Sequence, residues 1–316
     1  MIPAAVRVVF MGSPGFAVPS LDALVDAGYD VVGVVTQPDR PAGRGAAIQR
    51  PEVKVAALRH GIDVFQPTSL RDEGTVERLV AFAPDLFVVA AYGKILPRPV
   101  LAIPGRGAVN VHASLLPRWR GASPIASAIL AGDDETGVSI MEMALKMDAG
   151  PVISSVALTV LPNDTTGSLE TRLARLGAEA LMAALPRWLD GSLPAVPQDE
   201  AEATDCRTIA KEDGHLRLAM TATEAERAVR AYNPWPGAYV HYKGQRLAIW
   251  AASVVSSGAQ APPGSMCVEG RRSLIAFAHG TWLELNEIQK PGGKRIAGEQ
   301  FLNGERGKLE SMVGLA

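Results

Sequence analysis

Two residues on one short segment have the chemistry of an acyl-transfer site. Asn110 and His112 lie two positions apart at the end of an apolar run, in the stretch Asn110-Val-His112-Ala-Ser114-Leu-Leu-Pro117. Residues with this spacing on a β-strand point to the same face. An amide and an imidazole placed together can donate hydrogen bonds to a developing oxyanion and move a proton. A single buried histidine is more often structural, but the paired amide favours a catalytic role.

Asp148 is a third candidate for the same chemistry. It follows the apolar run Val138–Met143, in Lys146-Met-Asp148-Ala-Gly150. A carboxylate near an imidazole fixes its tautomer and raises its pKa. Asp-x-Gly is also ordinary turn chemistry. From the residues alone, both a catalytic role and a turn role stay open.

The segment Thr36–Gly45 (TQPDRPAGRG) carries two guanidinium groups, Arg40 and Arg44, among prolines and glycines. Such a composition is typical of a solvated loop. At the end of a sheet strand, the same loop could close over a phosphate or an RNA end.

The turn Gly12-Ser-Pro-Gly15 follows the first apolar run of the chain, Val6–Met11. It lacks the G-x-G-x-x-G spacing of a dinucleotide site, and Pro14 has no backbone N–H to offer a phosphate. We therefore expect a tight strand-to-helix turn and no nucleotide cofactor, which argues against a dehydrogenase.

The elements that position these residues alternate along residues 1–190. Apolar runs predict strands at Val6–Met11, Asp30–Thr36, Ile62–Phe65, Leu86–Ala91, Ala108–His112 and Val138–Met143. Helices are predicted at Ala17–Ala27, Val53–His60, Thr75–Phe82, Pro124–Ala131 and Gly167–Leu189. This alternation predicts a Rossmann-like α/β domain with a mostly parallel sheet, whose ligands bind at the carboxyl ends of the strands.

A second domain is predicted after a linker at residues 191–205, which is rich in turn-forming residues. Within residues 206–316, one helix is expected at Thr223–Ala231. Five short strands are predicted at Ala238–Tyr242, Leu247–Val255, Gly264–Val268, Ser273–Ala278 and Trp282–Ile288. Short strands separated by Gly and Pro turns indicate a small OB-like β-barrel.

The composition of the chain narrows the class of protein to which it can belong. Of 316 residues, 47% are hydrophobic and 20% charged, which is typical of a globular chain. Two distant cysteines, Cys206 and Cys267, and five scattered histidines indicate neither a disulfide framework nor a metal site. Without a signal peptide or an apolar run long enough for a membrane helix, we expect a cytoplasmic protein with no membrane partner.

Charge is distributed unevenly between the two predicted domains. Residues 206–316 contain 14 Lys and Arg against 10 Asp and Glu, a net charge of +4, whereas residues 1–205 have a net charge of −6. Such asymmetry can mark a module that binds a polyanion, although chance variation between surfaces explains it equally well. The candidate contacts beside the predicted strands are Lys243, Arg246, Lys294 and Arg295.

Together these segments resemble the methionyl-tRNA formyltransferase family of the folate-dependent formyltransferase group. The resemblance covers nearly the whole chain and rests on Thr36–Gly45, Val88–Pro97, Asn110–Gly121, Asp148–Gly150 and Asn233–Pro236 (NPWP). The Asn, His and Asp set alone is shared across the wider group, which includes the glycinamide ribonucleotide enzyme. The arginine loop and the NPWP segment point to the tRNA member.

The resemblance implies roles for individual residues. Asn110, His112 and Asp148 would be catalytic, and Arg40 and Arg44 would meet the tRNA. The folate-binding residues it implies are Ser114, Leu115, Leu116, Pro117, Val89, Tyr92, Gly93 and Ile95. The chain departs from the family pattern at Ala46, Ala47, Asp205, Thr208, Arg217 and Leu218.

The function implied is transfer of a formyl group from 10-formyltetrahydrofolate to the amino group of methionyl-initiator-tRNA, a one-carbon step that supplies translation initiation. Folate would be a co-substrate, and the reaction would use neither a metal nor a nucleotide cofactor. The alternative enzyme is a folate-dependent formyltransferase acting on a small amine. A non-catalytic RNA- or folate-binding protein is the alternative from another class.

Overall fold

The computed structural model describes residues 6–42, 47–258 and 260–305. The chain divides into two compact units. The first comprises Met1–Pro124, Glu135–Thr159 and Glu170–Arg207, and the second comprises Ile125–Asp134, Val160–Leu169 and Thr208–Ala316.

Eleven described strands precede residue 208 and belong to the first unit. In chain order they are β1 (Arg7–Gly12), β2 (Asp30–Val35), β3 (Arg40–Ala42), β4 (Ala47–Gln49), β5 (Val64–Phe65), β6 (Leu86–Ala90), β7 (Ala108–His112), β8 (Arg120–Gly121), β9 (Glu135–Glu142), β10 (Val152–Thr159) and β11 (Asp205–Cys206). Seven of them form the main sheet, in the order β10-β9-β7-β6-β1-β2-β5. The neighbouring pairs β7-β6, β6-β1, β1-β2 and β2-β5 are parallel. Strands β9 and β10 pair antiparallel at the other edge of the sheet.

Eight helices are described in the structure. In chain order they are α1 (Val18–Asp26), α2 (Glu52–Arg59), α3 (Glu73–Ala81), α4 (Arg98–Leu101), α5 (Pro124–Ala131), α6 (Thr166–Leu189), α7 (Ala222–Ala231) and α8 (Gly298–Glu305). The first four, α1 to α4, lie in the connections between the parallel strands. Within the described residues, no helix combines the length and apolar character needed to cross a membrane.

Strands β6 and β7 lie at the centre of the sheet and are buried along their whole length. Helices on both faces of a parallel sheet require such continuous burial, which explains their apolar sequences. Strand β7 pairs with β6 so that Asn110 lies beside Val89, and Gly12 of β1 lies beside Ala90. The carboxyl ends of β1, β6 and β7 therefore meet at one edge, where ligands bind in such sheets.

The two faces of β7 have different roles. Val111 faces α6, because a Cβ added to Gly177 of that helix would lie 2.8 Å from Val111 Cγ1. Alternation along the strand then places Asn110 and His112 together on the opposite face. Their spacing in the sequence predicted this shared face.

The strands of the second unit pair antiparallel. They are β12 (Ala238–Tyr242), β13 (Gln245–Val255), β14 (Met266–Glu269), β15 (Arg272–Ala276), β16 (Trp282–Gln289) and β17 (Arg295–Ala297). Their order is β12-β13-β16-β15-β14, and β17 pairs with residues Glu287–Gln289 at the end of β16. Strand β17 was not predicted, because three residues after a Gly-rich turn carry no period-2 pattern. A mostly parallel sheet unit followed by a small antiparallel unit confirms the predicted fold class.

The domain limits 1–190, 191–205 and 206–316 stay a prediction. The two compact units of the structure have somewhat different limits. The linker segment 191–205 groups with the first unit, and Val196 forms a β-bridge to Val152 there. Two short segments before residue 170 group with the second unit.

Gly137 of β9 offers a test of packing at the antiparallel edge. A Cβ there would lie 2.2 Å from the carbonyl oxygen of Val156 and 2.5 Å from Leu115 Cδ2. Because the first contact is with backbone, we expect Gly137→Ala to lower the free energy of unfolding by about 2 kcal/mol or more, measured from urea curves.

The matched control is Gly74→Ala in α3, where an added Cβ meets nothing within 4 Å. Helix propensity should then raise the free energy of unfolding by about 0.5–1 kcal/mol. Equal effects of the two substitutions would show that the β9–β10 edge can relax to accept a methyl group.

Candidate active site

His112 lies at the end of β7, is 6% exposed and is held by the backbone. Its Nε2 atom lies 3.0 Å from the carbonyl oxygen of Trp119. A carbonyl oxygen can only accept a hydrogen bond, so Nε2 carries the proton in this arrangement. In the neutral ring, Nδ1 is then the nitrogen that can accept a proton.

Asp148 lies on the Nδ1 side of the ring, with its Oδ2 atom 3.8 Å from Nδ1. That separation is longer than a hydrogen bond, so the carboxylate acts on the ring through charge. The same oxygen accepts the backbone N–H of Gly121 at 2.9 Å. Asp148 has a φ of 48°, the left-handed conformation that Asp tolerates in turns. The residue is thus in a turn and also faces the imidazole.

Asn110 lies two residues before His112, on the same face of β7, and is 9% exposed. Among the described residues, its side-chain amide has no hydrogen-bond partner, although a buried amide normally finds one. Its strand neighbours are Val89 and Met141. The amide N–H groups therefore stay free to donate to a ligand at the carboxyl edge of the sheet.

The loop after β7 is tied to the sheet by two serines. The hydroxyl of Ser114 donates to the carbonyl oxygen of Arg118 at 2.6 Å. Ser139 of β9 donates to the Ser114 carbonyl at 2.8 Å and accepts from the Leu116 N–H at 3.0 Å. These bonds set the path of the chain towards Trp119, whose carbonyl holds His112.

Residues 198–204 contact this loop from the other side, which sequence reasoning missed. Thr204 accepts the Trp119 N–H through its hydroxyl at 2.9 Å. Gln198 donates from Nε2 to the carbonyl oxygens of Asp148 and Gly150, at 2.8 and 2.7 Å. The segment had been predicted as a linker, because nothing local in its sequence reveals contacts with residues about 50–80 positions earlier.

Arg120 joins the loop to the same segment and is 2% exposed. Its guanidinium donates to Gln198 Oε1 at 2.9 Å and to Glu200 Oε1 at 2.8 Å. The hydrogen bond from Arg120, and then that from Lys146, lower the pKa of Glu200 from 4.5 to about 2. Because this pKa is lowered on folding, the link is intact above about pH 4.5 and is lost only as the pH falls towards 2.

The predicted folate residues divide into three groups by exposure, and their role stays a prediction. Val89, Tyr92 and Ser114 are buried, whereas Leu115, Leu116 and Pro117 are half-buried, and Gly93 and Ile95 are exposed. The Tyr92 ring lies in the apolar core cluster, and burial raises the pKa of its phenol to about 12. The two exposed members, Gly93 and Ile95, follow Tyr92 closely in the chain.

A cavity of about 410 Å³ opens where β1 and β2 end. Its lining includes Ser13, Pro14, Gln37, Arg40, Arg50 and Gly93. Next to Arg40 in the chain, Asp39 accepts a hydrogen bond from Lys54 at 2.8 Å, and Lys54 also donates to Gln66 at 2.6 Å. The hydrogen bond from Lys54 lowers the pKa of Asp39 below its ordinary value. Arg40 thus lies at this cavity, whereas Arg44 lies outside the described residues.

The predicted RNA-contacting cations of the second unit lie around β12, β13 and β17. Lys243, Lys294 and Arg295 are exposed, and Arg246 is partly exposed. Arg246 lies over the ring of Tyr239, with its Cζ atom 4.0 Å from the centroid. Arg295 lies over Trp250 at 3.7 Å. Within residues 6–42, 47–258 and 260–305, no group of three or more His, Cys, Asp or Glu could hold a metal ion.

Comparison with known proteins identifies the family to which the chain is similar. The formyl transferase family model matches residues 6–185, and the formyl transferase C-terminal domain model matches residues 208–306. Methionyl-tRNA formyltransferase of Methylococcus capsulatus is 48% identical, covering 94% of this chain and 96% of its own. The protein of the same name from Bacillus subtilis is 43% identical, covering 98% of each chain.

A solved structure shares the fold at lower identity. The N-formyltransferase from Helicobacter canadensis, in complex with folinic acid and dTDP-3-aminofucose, aligns with a TM-score of 0.65 and 16% identity. The alignment covers 90% of this chain and 99% of that chain. At this identity, the likeness is evidence for the fold alone.

Gln198 offers a test of how residues 198–204 support the site. Glutamate at this position has no N–H, so its oxygens would face the carbonyls of Asp148 and Gly150 and leave both unpaired. We expect Gln198→Glu to lower the free energy of unfolding by about 1–3 kcal/mol, measured in urea at neutral pH. The control is Gln260→Glu, an exposed glutamine in the second unit. A loss no greater than that of the control would mean that Gln198 does not hold the Asp148 turn.

Proposed function

The chain belongs to the methionyl-tRNA formyltransferase family, and we propose that it transfers the formyl group of 10-formyltetrahydrofolate to the α-amino group of methionyl-initiator-tRNA. The main support is 43–48% identity to enzymes of that name over nearly the full length of both chains. The family makes the chain an enzyme, so the non-catalytic alternative is set aside. Because the product enters translation initiation, the proposed location is the cytoplasm.

The chemistry required is simple to balance. The co-substrate supplies a formyl group on a nitrogen that can leave. The amine nitrogen forms a bond to the formyl carbon, the bond from that carbon to N10 breaks, and one amine proton ends on N10. An α-amino group has a reference pKa of about 8, so a useful neutral fraction is present near neutral pH.

Asn110 fits the role of oxyanion donor. Negative charge develops on the formyl oxygen as the amine adds, and a fixed donor is worth most where water is excluded. The Asn110 amide is 9% exposed and has no partner among the described residues, so it loses no existing bond when it donates. It can therefore donate throughout the reaction.

His112 fits the role of proton carrier, with Asp148 supporting its charged form. While Nε2–H stays on the Trp119 carbonyl, Nδ1 can accept the amine proton. The resulting imidazolium faces Asp148 Oδ2 across 3.8 Å, a favourable charge interaction in a buried site. The Nδ1–H of the imidazolium can then donate a hydrogen bond to the formyl oxygen. The same proton is transferred to N10 when the bond between the formyl carbon and N10 breaks.

The tRNA would be held by both units. Arg40 at the cavity and Arg44 in the same loop are proposed to meet the acceptor end, because planar guanidinium groups suit phosphates. Lys243, Arg246, Lys294 and Arg295 are proposed to bind phosphates further along the RNA. Affinity should then fall steeply with salt, since each phosphate contact releases counterions.

A small amine remains the alternative substrate, and a second domain does not exclude it. The Helicobacter canadensis enzyme, whose structure contains an amino-sugar nucleotide, spans 90% of this chain and so has a comparable length of chain. What favours tRNA is the identity to the methionyl-tRNA enzymes, together with the +4 charge of residues 206–316.

The direct test is a formyl-transfer assay with purified protein and 10-formyltetrahydrofolate. We expect formylation of methionyl-tRNA with kcat/KM at least about 10⁴ M⁻¹s⁻¹, within the usual enzyme range. Glycinamide ribonucleotide and a dTDP-amino sugar serve as the small-amine comparison and should react far more slowly. Faster transfer to either small amine would establish the alternative.

The catalytic set has its own test. Asn110→Ala should lower kcat by about 10²-fold or more, as expected for loss of an oxyanion donor. His112→Ala and Asp148→Ala should each cost at least as much. The double variant should lose much less than the product of the two single losses, because the two residues act as one unit. Fully multiplicative losses would contradict a shared role. Asn286→Ala, at an exposed asparagine of the second unit, is the control for expression and folding.

A further inference from the structure

Trp235 is the most exposed of the five tryptophans, at 57%. It lies in the NPWP segment between α7 and β12, within the second unit. An isolated exposed aromatic is unremarkable, since much protein surface is apolar. The contacts around Trp235 set it apart from such a case.

The backbone on both sides of Trp235 is anchored. On one side, Asn233 Nδ2 donates to the Trp250 carbonyl at 3.3 Å. On the other, Arg246 Nη2 donates to the carbonyl oxygens of Pro236 and Gly237, each at 3.1 Å. Proline on either side of Trp235 also restricts φ. The exposed indole is therefore presented on a fixed turn, and binding to it costs little conformational entropy.

Two guanidinium groups lie beside this turn. Arg246 bonds to the turn itself and lies over the ring of Tyr239. Arg295 lies over Trp250, whose ring also lies next to Gly237 of the turn, and its charge is only loosely shared with Glu287 at 3.7 Å. We call Trp235, Trp250, Arg246 and Arg295 the Trp235 platform.

We propose that the Trp235 platform binds an unpaired RNA base, with the indole of Trp235 stacked on the base and the two arginines on the neighbouring phosphates. Stacking on an aromatic ring is how proteins commonly hold bases that lie outside a duplex. Bases inside a duplex are already stacked on each other and leave no face free. The proposal rests on the proposed function, because it assigns part of the tRNA contact to this surface.

Charge favours RNA over a protein partner. The platform combines one exposed aromatic ring with two cations, of which Arg295 is loosely paired with Glu287 at 3.7 Å. The two guanidinium groups attract a polyanion locally, to this turn. A protein partner would be expected to meet a larger apolar surface around the tryptophan.

The test measures binding of the full chain to a fluorescein-labelled 12-nucleotide oligoadenylate and to a 12-base-pair RNA duplex, by anisotropy. Trp235→Ala should weaken single-strand binding about tenfold and duplex binding less than about twofold. Trp235→Phe should retain most of the affinity, because phenylalanine keeps a stacking face. Val268→Ala, which trims an exposed apolar side chain elsewhere in the unit, should bind like the parent.

Salt dependence separates stacking from phosphate contact. Trp235→Ala should leave the slope of log affinity against log salt unchanged, whereas Arg295→Gln should reduce its magnitude by about 0.7 for single-stranded RNA. Circular dichroism and sedimentation of each variant check its fold and its association state.

Several results would overturn the proposal. They are absent binding of the oligoadenylate by the parent chain, unchanged binding by Trp235→Ala, equal loss for duplex and single strand, or a change in association state alone. Formylation of methionyl-tRNA by the parent chain is measured in parallel. If the parent chain formylates methionyl-tRNA and Trp235→Ala binds RNA as the parent does, only the role of the Trp235 platform is refuted. If the parent chain does not formylate methionyl-tRNA, the proposed function itself is refuted.

Discussion

The hydrogen bond between His112 Nε2 and the Trp119 carbonyl is the interaction on which the site depends. It places the one N–H of the neutral imidazole on the backbone and leaves Nδ1 for proton transfer. Trp119, whose carbonyl contacts the ring, adopts a φ of 61°, a left-handed conformation that costs a non-glycine residue about 1–2 kcal/mol. Neighbouring bonds must hold that conformation.

Those bonds come from two directions. Ser114 and Ser139 fix the start of the loop from within the sheet. Thr204 accepts the Trp119 N–H, and buried Arg120 ties the loop to Gln198 and Glu200. Gln198 also holds the turn that carries Asp148. Residues 198–204 therefore hold both the loop that contacts the imidazole and the turn that carries the carboxylate, although they lie far along the chain from the candidate site.

The parts predictable from sequence were those with local signals. A two-residue spacing on an apolar strand was enough to put Asn110 and His112 on one face, because strand alternation is a short-range property. The antiparallel direction of β9 was not predictable, since an apolar run carries no information on strand direction. The place of Tyr92 in a folate site, implied by its motif, stays a prediction, and the packing of its ring in the apolar core depends on tertiary contacts that the motif does not encode. The support from Gln198 and Thr204 depends on tertiary contacts that no local pattern encodes.

The central claim is best tested by nitrogen NMR of protein labelled with ¹⁵N-histidine. The signals of His112 are identified by their absence in His112→Asn. At a pH of about 8, where an ordinary histidine is neutral, the account predicts a protonated Nε2 and an unprotonated Nδ1. A proton on Nδ1 in the neutral ring would contradict it, because Asp148 and not the Trp119 carbonyl would then orient the imidazole.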